Sequence, residues 1–107
     1  EVKNSIIMSS AKVPHHNYVG DSIIGRNVNL GSGTKIANLR LDKGEIAIEC
    51  DGEKINTGRK KFGAILGDNV STGINSSINV GTIIGSNSVL GAGKIASGTY
   101  PNKSKIL

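Results

Sequence analysis

Aliphatic residues return at every sixth position along much of this chain. Ile24, Leu30 and Ile36 form one series, and Leu66, Thr72, Ile78, Ile84 and Leu90 form a second, with Thr72 the one non-aliphatic member. The residue after each is small or polar: Gly25, Gly31, Ala37, Gly67, Gly73, Asn79, Gly85 and Gly91. The fifth position of the hexads is small or β-branched at Val28, Thr34, Val70, Ser76, Thr82 and Ser88. The step from Ile36 to Leu66 is itself a multiple of six, so both series keep one phase across an interruption. A six-residue unit is too short for a helix pair. It fits short flat parallel strands parted by sharp corners, with three hexads closing one triangular coil. The aliphatic position then points inward and stacks on its equivalent in the next coil. The glycine position serves either a positive φ or a close approach of backbones. The fifth position falls near a corner, where a modest side chain packs. The competing reading is a glycine-rich sandwich with a chance period.

The interruption, "LDKGEIAIECDGEKINTGRKK" over 41–61, has a different rhythm. Glu45–Cys50 alternates as a strand does, Asp51-Gly52 supplies a type I′ turn, and "EKIN" returns as a second strand. The expectation is a β-hairpin arm leaving one corner. A lone hairpin is marginal in water, so Ile46, Ile48 and Ile55 are expected to pack on the flank of the helix or on a neighbouring subunit. The opening stretch "EVKNSIIMSSAKV" is repeat-like with poorer glycine use. The closing "SGTYPNKSKIL" leaves the repeat and reads as a cap or tail.

Composition narrows the function. The chain has 107 residues, enough for one domain. Aromatic residues are 3%, so a stacked aliphatic column must serve as the core, and base-stacking recognition of nucleic acid has no platform. The net charge of +5 favours an anionic partner, with a phosphorylated small molecule among the choices. A single cysteine, Cys50, forms no internal disulfide, and the expected setting is reducing and cytoplasmic. No apolar run approaches membrane-span length and no signal peptide is visible. Two adjacent histidines and one distant cysteine lack metal-ligand spacing, so no metal is expected. "GSGTKI" and "GAGKI" lie on the hexad period and not at a strand-to-helix turn, so neither is a phosphate loop.

The chemistry-bearing stretch is "KVPHHNYVGD", Lys12–Asp21, which holds both histidines. Histidine titrates near neutrality and suits a general base. On residue type alone His15 and His16 are equal candidates, and a solvated surface role suits either. Lysine suits phosphate as a point charge, and on residue type alone Lys12, Arg40, Arg59, Lys60 and Lys61 are open candidates.

"KVPHHNYVGDSIIGRNVNLGSGT", "ANL" and "KKFGAILGDNVSTG" together resemble the acetyltransferase domain of bifunctional sugar-1-phosphate nucleotidylyltransferase/acetyltransferases, most closely the archaeal branch. The hexads match the hexapeptide repeat of left-handed parallel β-helices. The resemblance covers about Val2 to Gly93. It implies an all-β left-handed parallel β-helix and a homotrimer with active sites between subunits. It implies N-acetyl transfer from acetyl-CoA to an aminosugar-1-phosphate. It further implies that 1–107 forms the C-terminal part of a longer enzyme. Residue by residue, the catalytic histidine of the H-x-x-Y-x-G-D block falls on His15, with Asn38 placed beside it in the reaction. Lys12, Tyr18, Asn29 and Lys61 fall on substrate contacts, and Ala92 on a backbone contact to acetyl-CoA. His16 matches no functional position and is expected to pack or orient. Leu39 stands where bacterial members have tyrosine, Ile74 where they have a serine near the coenzyme, and the excursion is longer than theirs. The alternative function is a non-catalytic, trimerising or regulatory β-helix; the joint presence of His15, Tyr18, Asn29, Asn38 and Lys61 argues against it.

Overall fold

The computed structural model describes all residues from Glu1 to Leu107 and contains no helix. The chain is a parallel β-helix with three flat faces. The first face stacks Val2–Lys3, Val19–Gly20, Lys35–Ile36, Ser77–Ile78 and Ile95–Ala96, its upper and lower parts joined by a Tyr18–Lys35 bridge. The second stacks Ile6–Ile7, Ile23–Ile24, Ala64–Leu66, Thr82–Ile84 and Thr99–Tyr100. The third stacks Asn29–Leu30, Ser71–Thr72, Val89–Leu90 and Lys105–Ile106, with Lys12 bridging to Asn29 above them.

The inward column is the hexad series. Ile24, Leu30, Ile36, Leu66, Ile78, Ile84 and Leu90 are each no more than 1% exposed. The fifth-position residues join the same interior: Val28, Thr34, Val70, Ser76, Thr82 and Ser88 are all buried. Thr72 interrupts the aliphatic column without leaving an orphaned hydroxyl. Its Oγ1 lies 2.7 Å from Thr34 Oγ1, which in turn lies 3.1 Å from Ser76 Oγ. No buried side-chain polar atom lacks a partner, as a dry column requires.

Of the two roles open to the hexad glycines, close approach is the one the structure uses. A Cβ on Gly67 would sit 2.6 Å from the Ser86 nitrogen, and one on Gly73 would sit 2.5 Å from the Ala92 nitrogen. Positive φ falls two residues later in the hexad, at Asn27, Gly33, Asn69, Asn75, Asn87 and Gly93. Asparagine tolerates this conformation better than other side chains. His16 has φ 49° and tops one of these corner ladders, above Gly33, Asn75 and Gly93.

The opening stretch is repeat-like as expected, and both ends depart from a strict six-residue count. Val2 pairs with Val19 and Ile7 with Ile24, a step of seventeen, so the first coil is one residue short. The closing segment is a further coil and not a tail: Tyr100 pairs with Ile84 and Ile106 with Leu90, a step of sixteen. The two missing residues come out between Ala96 and Thr99, at a corner held by Gly98 with φ 90°. A tight corner conceals the continuation from a strict six-residue count.

The interruption is a hairpin of Ile46–Cys50 against Glu53–Arg59, with φ 52° at Asp51 and 78° at Gly52, the two positive values a type I′ turn needs. It leaves the corner between the first and second faces and folds back on the flank. Ile46 is 1% exposed, and a Cβ on Gly81 would lie 2.6 Å from the Ala47 carbonyl oxygen. Thr99 donates its hydroxyl hydrogen to the Glu49 carbonyl. Ile48 is half-buried, whereas Ile55 stays 45% exposed.

The column carries the stability. Ile36→Ala should lower the unfolding free energy by about 2–5 kcal/mol, and Lys35→Ala, its outward neighbour, by no more than about 0.5 kcal/mol, in urea titrations. Equal effects would show that the column does not dominate.

Candidate functional site

The coil stack decides which sequence-predicted residues meet. His15, Ser32, Ile74 and Ala92 occupy equivalent places on the corner between the third and first faces. The Gly33, Asn75 and Gly93 amides donate in turn to the carbonyls of His15, Ser32 and Ile74, at 3.1, 2.8 and 2.9 Å. With about 4.8 Å per coil, His15 and Ala92 stand roughly 14 Å apart along one exposed ridge. The top of the ridge is pinned from inside. Asn17, 5% exposed, accepts from the His15 amide at 3.1 Å and donates to the Gly31 carbonyl at 2.8 Å. The His15 imidazole is exposed and makes no hydrogen bond within the chain, which leaves both ring nitrogens free.

Lys12 and Asn29 are neighbours on the third face through their parallel bridge, both side chains exposed. Tyr18 and Asn38 meet on the first face, where Asn38 Nδ2 donates to the Tyr18 hydroxyl at 3.1 Å. Lys61 joins them from the stem of the hairpin: Leu39 and Lys61 form an antiparallel bridge, and the Phe62 amide donates to the Asn38 carbonyl at 3.0 Å. The predicted residues therefore form two groups on adjacent faces, with His15 on the corner between them. Adjacent outer faces of a prism diverge, so one chain does not close both groups around a single small ligand. A cleft of about 390 Å³ lies on the first face, lined by Tyr18, Lys35, Asn38, Ser77 and Ile95 among others. A larger one, about 710 Å³, lies under the hairpin between Leu39, Arg40, Leu41, Ile46 and Val80. Neither is lined by His15.

The alternatives for phosphate are sorted by their partners. Arg40 is committed to Asp42, donating to both carboxylate oxygens, and to the Glu45 carbonyl. The Gly44 amide, then Arg40, holds the Asp42 carboxyl below its ordinary pKa. Arg59 faces Asp21 at 3.7 Å and donates to the Lys61 carbonyl. Lys12, Lys60 and Lys61 have no side-chain partner in the chain, so the free cations beside the predicted site are lysines.

Two residues of the block had no assigned role. A Cβ on Gly20 would come within 2.6 Å of both Asn38 Nδ2 and the Tyr18 hydroxyl, so only glycine lets that pair close over the strand. Asp21, its side chain 8% exposed, accepts from Asn4 Nδ2 at 2.6 Å and from Asn38 Nδ2 at 2.8 Å. Burial alone pushes its pKa up. The hydrogen bonds from Asn4 and Asn38 and the charges of Arg59 and Lys61 outweigh it, and the carboxyl titrates below 3.8. The sequence signal was an acidic residue at a corner directly after a glycine; its partners lie 17 residues away on either side and are invisible to local reading.

A chain of this architecture, with hexad-paced parallel coils and a hairpin at one corner, is a hexapeptide-repeat β-helix. It is related to the acetyltransferase domain of bifunctional sugar-1-phosphate nucleotidylyltransferase/acetyltransferases. A protein of that name from Sulfurisphaera tokodaii is 52% identical over 85 residues, which are 79% of this chain and 21% of the relative. The bifunctional protein GlmU of Methanococcus vannielii is 51% identical over 92 residues, 86% of this chain and 22% of the relative. The GlmU of Wigglesworthia glossinidia brevipalpis is 37% identical across the whole chain, which is 20% of its own length. The chain thus spans about a fifth of these curated relatives. No family model matches it. Among solved structures, serine acetyltransferase 1 of Entamoeba histolytica superposes with a TM-score of 0.56 at 18% identity, over 97% of this chain and 39% of that one, a likeness of fold.

Asp21 gives the site an acid limb. Its stabilisation is complete above the unfolded aspartate value of about 3.9 and is lost as pH falls through the lower folded value. The melting temperature of the wild type should fall more steeply below about pH 4 than that of Asp21→Asn, by calorimetry. Parallel curves would place the acid sensitivity elsewhere.

Proposed function

We propose that this chain transfers acetyl from acetyl-CoA to the amine of an aminosugar-1-phosphate, glucosamine-1-phosphate or galactosamine-1-phosphate, as part of UDP-N-acetylhexosamine synthesis. The observation that carries this reading is the corner ridge with His15 at its upper end. It is supported by 52% identity over 85 residues to a protein named for nucleotidylyl and acetyl transfer.

The acceptor enters as an ammonium ion and must lose a proton to attack. His15 takes that proton at a ring nitrogen that no protein group occupies. The amine nitrogen forms a bond to the thioester carbonyl carbon, and the carbon–sulfur bond then breaks. The thiolate leaves readily because a thiol has a pKa of about 8.5, so no strong acid is needed; of the two protons that the ammonium nitrogen gives up in becoming an amide, one ends on the released thiol and the other passes to solvent. Lys12 and Lys61 hold the sugar phosphate, Tyr18 and Asn29 the sugar, and Ala92 meets the coenzyme with its backbone at the lower end of the ridge.

The divergence of the two side-chain groups supports a shared site. The Tyr18–Asn38–Lys61 group of one chain pairs with the Lys12–Asn29 group of a neighbour in a homotrimer, which wraps His15 and excludes water.

The test follows free thiol from acetyl-CoA with each aminosugar-1-phosphate on the assembled protein. His15→Ala should lower kcat by about 10²–10⁴-fold. His16→Gly suits the positive φ of that corner and should keep most of it. Equal losses would reverse the assignment, and no thiol release by the wild type with either sugar would overturn the function.

A further inference from the structure

Asn38 has one amide group with two hydrogens to give and one oxygen to offer. Its Nδ2 lies 2.8 Å from Asp21 Oδ2 and 3.1 Å from the Tyr18 hydroxyl, which accounts for both hydrogens. An ionised carboxylate only accepts, so the NH2 side of the amide must face Asp21. The carbonyl oxygen is left pointing away, and it accepts nothing within the chain. The Tyr18 oxygen takes a hydrogen from Asn38, so its own hydrogen remains to be given.

The carboxylate that sets this polarity is itself fixed. Asp21 Oδ1 accepts from Asn4 at 2.6 Å and faces Arg59 at 3.7 Å, while Oδ2 is reserved for Asn38. The Asp21 amide donates to the Lys3 carbonyl and its own carbonyl accepts from the Gly63 amide, which ties the residue to the coils above and below. Gly20 supplies the space, since any side chain there would collide with Asn38 and Tyr18. Four segments distant in sequence converge to orient one amide.

We propose that Asp21 is a positioning residue: it locks the Asn38 amide with its NH2 group inward, so that the site presents a carbonyl acceptor from Asn38 and a hydroxyl donor from Tyr18. This rests on the acetyl-transfer reading above. An amine approaching His15 has N–H hydrogens beyond the one it loses, and a fixed carbonyl oxygen aligns them. The Tyr18 hydrogen suits a sugar or phosphate oxygen. If the amide were free to turn, its NH2 would face the amine and repel it.

The experiment uses the assembled wild-type chain, Asp21→Gly, Asp21→Asn, Asn38→Ala and the Asp21→Gly/Asn38→Ala double variant. Glycine is chosen because Asp21 has φ 51°, where replacements other than glycine and asparagine add backbone strain. Asp21→Gly should lower kcat for the aminosugar-1-phosphate by about tenfold to a hundredfold and change KM less than about threefold. Asp21→Asn keeps an acceptor oxygen and should recover most of the loss. In the Asn38→Ala background the Asp21→Gly change should add less than about twofold, since the route through Asn38 is already gone. Losses that multiply in the double variant, or a folded Asp21→Gly chain with full kcat, would overturn the proposal. The side-chain amide protons of Asn38, observed by NMR with 15N-asparagine, decide the lock without turnover. They should be two slowly exchanging signals in the wild type that merge with the solvent-exposed asparagines in Asp21→Gly. Unchanged signals overturn the lock. A wild type that releases no thiol defeats the acetyl-transfer reading instead, and the amide signals still report on the lock.

Discussion

Backbone hydrogen bonding from each coil to the next, in fixed register, is the constraint on which everything else in this molecule depends. It sets a common rise for every coil and forbids sideways drift. Residues separated by a coil in sequence therefore become neighbours in space. The interior follows: an aliphatic residue at each hexad position stacks on its equivalent, and a core forms with hardly any aromatic surface. Hydroxyls at Thr34, Thr72 and Ser76 satisfy one another within that core, so the interruption of the aliphatic column at Thr72 is not an orphaned group.

The same register builds the site. No helix or long strand aims the candidate side chains. Lys12 meets Asn29 and Tyr18 meets Lys35 because the first coil is seventeen residues long and lies directly on the second. His15 reaches the ridge it shares with Ala92 because corners stack as faithfully as strands. The hairpin adds what the coils do not provide. By entering and leaving at one corner, it brings Lys61 back beside Asn38 across the Leu39 bridge. The prism is convex, however, and its outer faces turn away from one another. One chain therefore does not close both side-chain groups around a single small ligand.

Much of the fold was legible because the hexad is a local code. Phase survives the interruption, and the Asp51-Gly52 turn announces the hairpin with both residues in the conformation its type requires. Three things were not legible, each for a physical reason. The last coil is shortened at Gly98, which breaks the count without breaking the stack. Glycine has two uses in such a coil, and a sequence does not say which; contact distances assign Gly67 and Gly73 to close approach and leave the positive φ to asparagines and other glycines. Asp21 escaped notice because its importance lies in Asn4, Asn38 and Arg59, which only the stack and the hairpin bring to it. The resemblance separated His15 from His16, and the structure adds a reason for the second histidine's place: it occupies a corner with φ 49°.

On the proposed reading, one stacked corner carries the acyl donor from His15 down to Ala92. The most direct test is a titration of the assembled chain with coenzyme A, followed by amide NMR. The amides of Ser32, Ile74, Ala92 and Gly93 should shift together with one binding constant, while Asp51 and Gly52 at the hairpin tip should not move. Shifts confined to the hairpin, or to the second face, would contradict it.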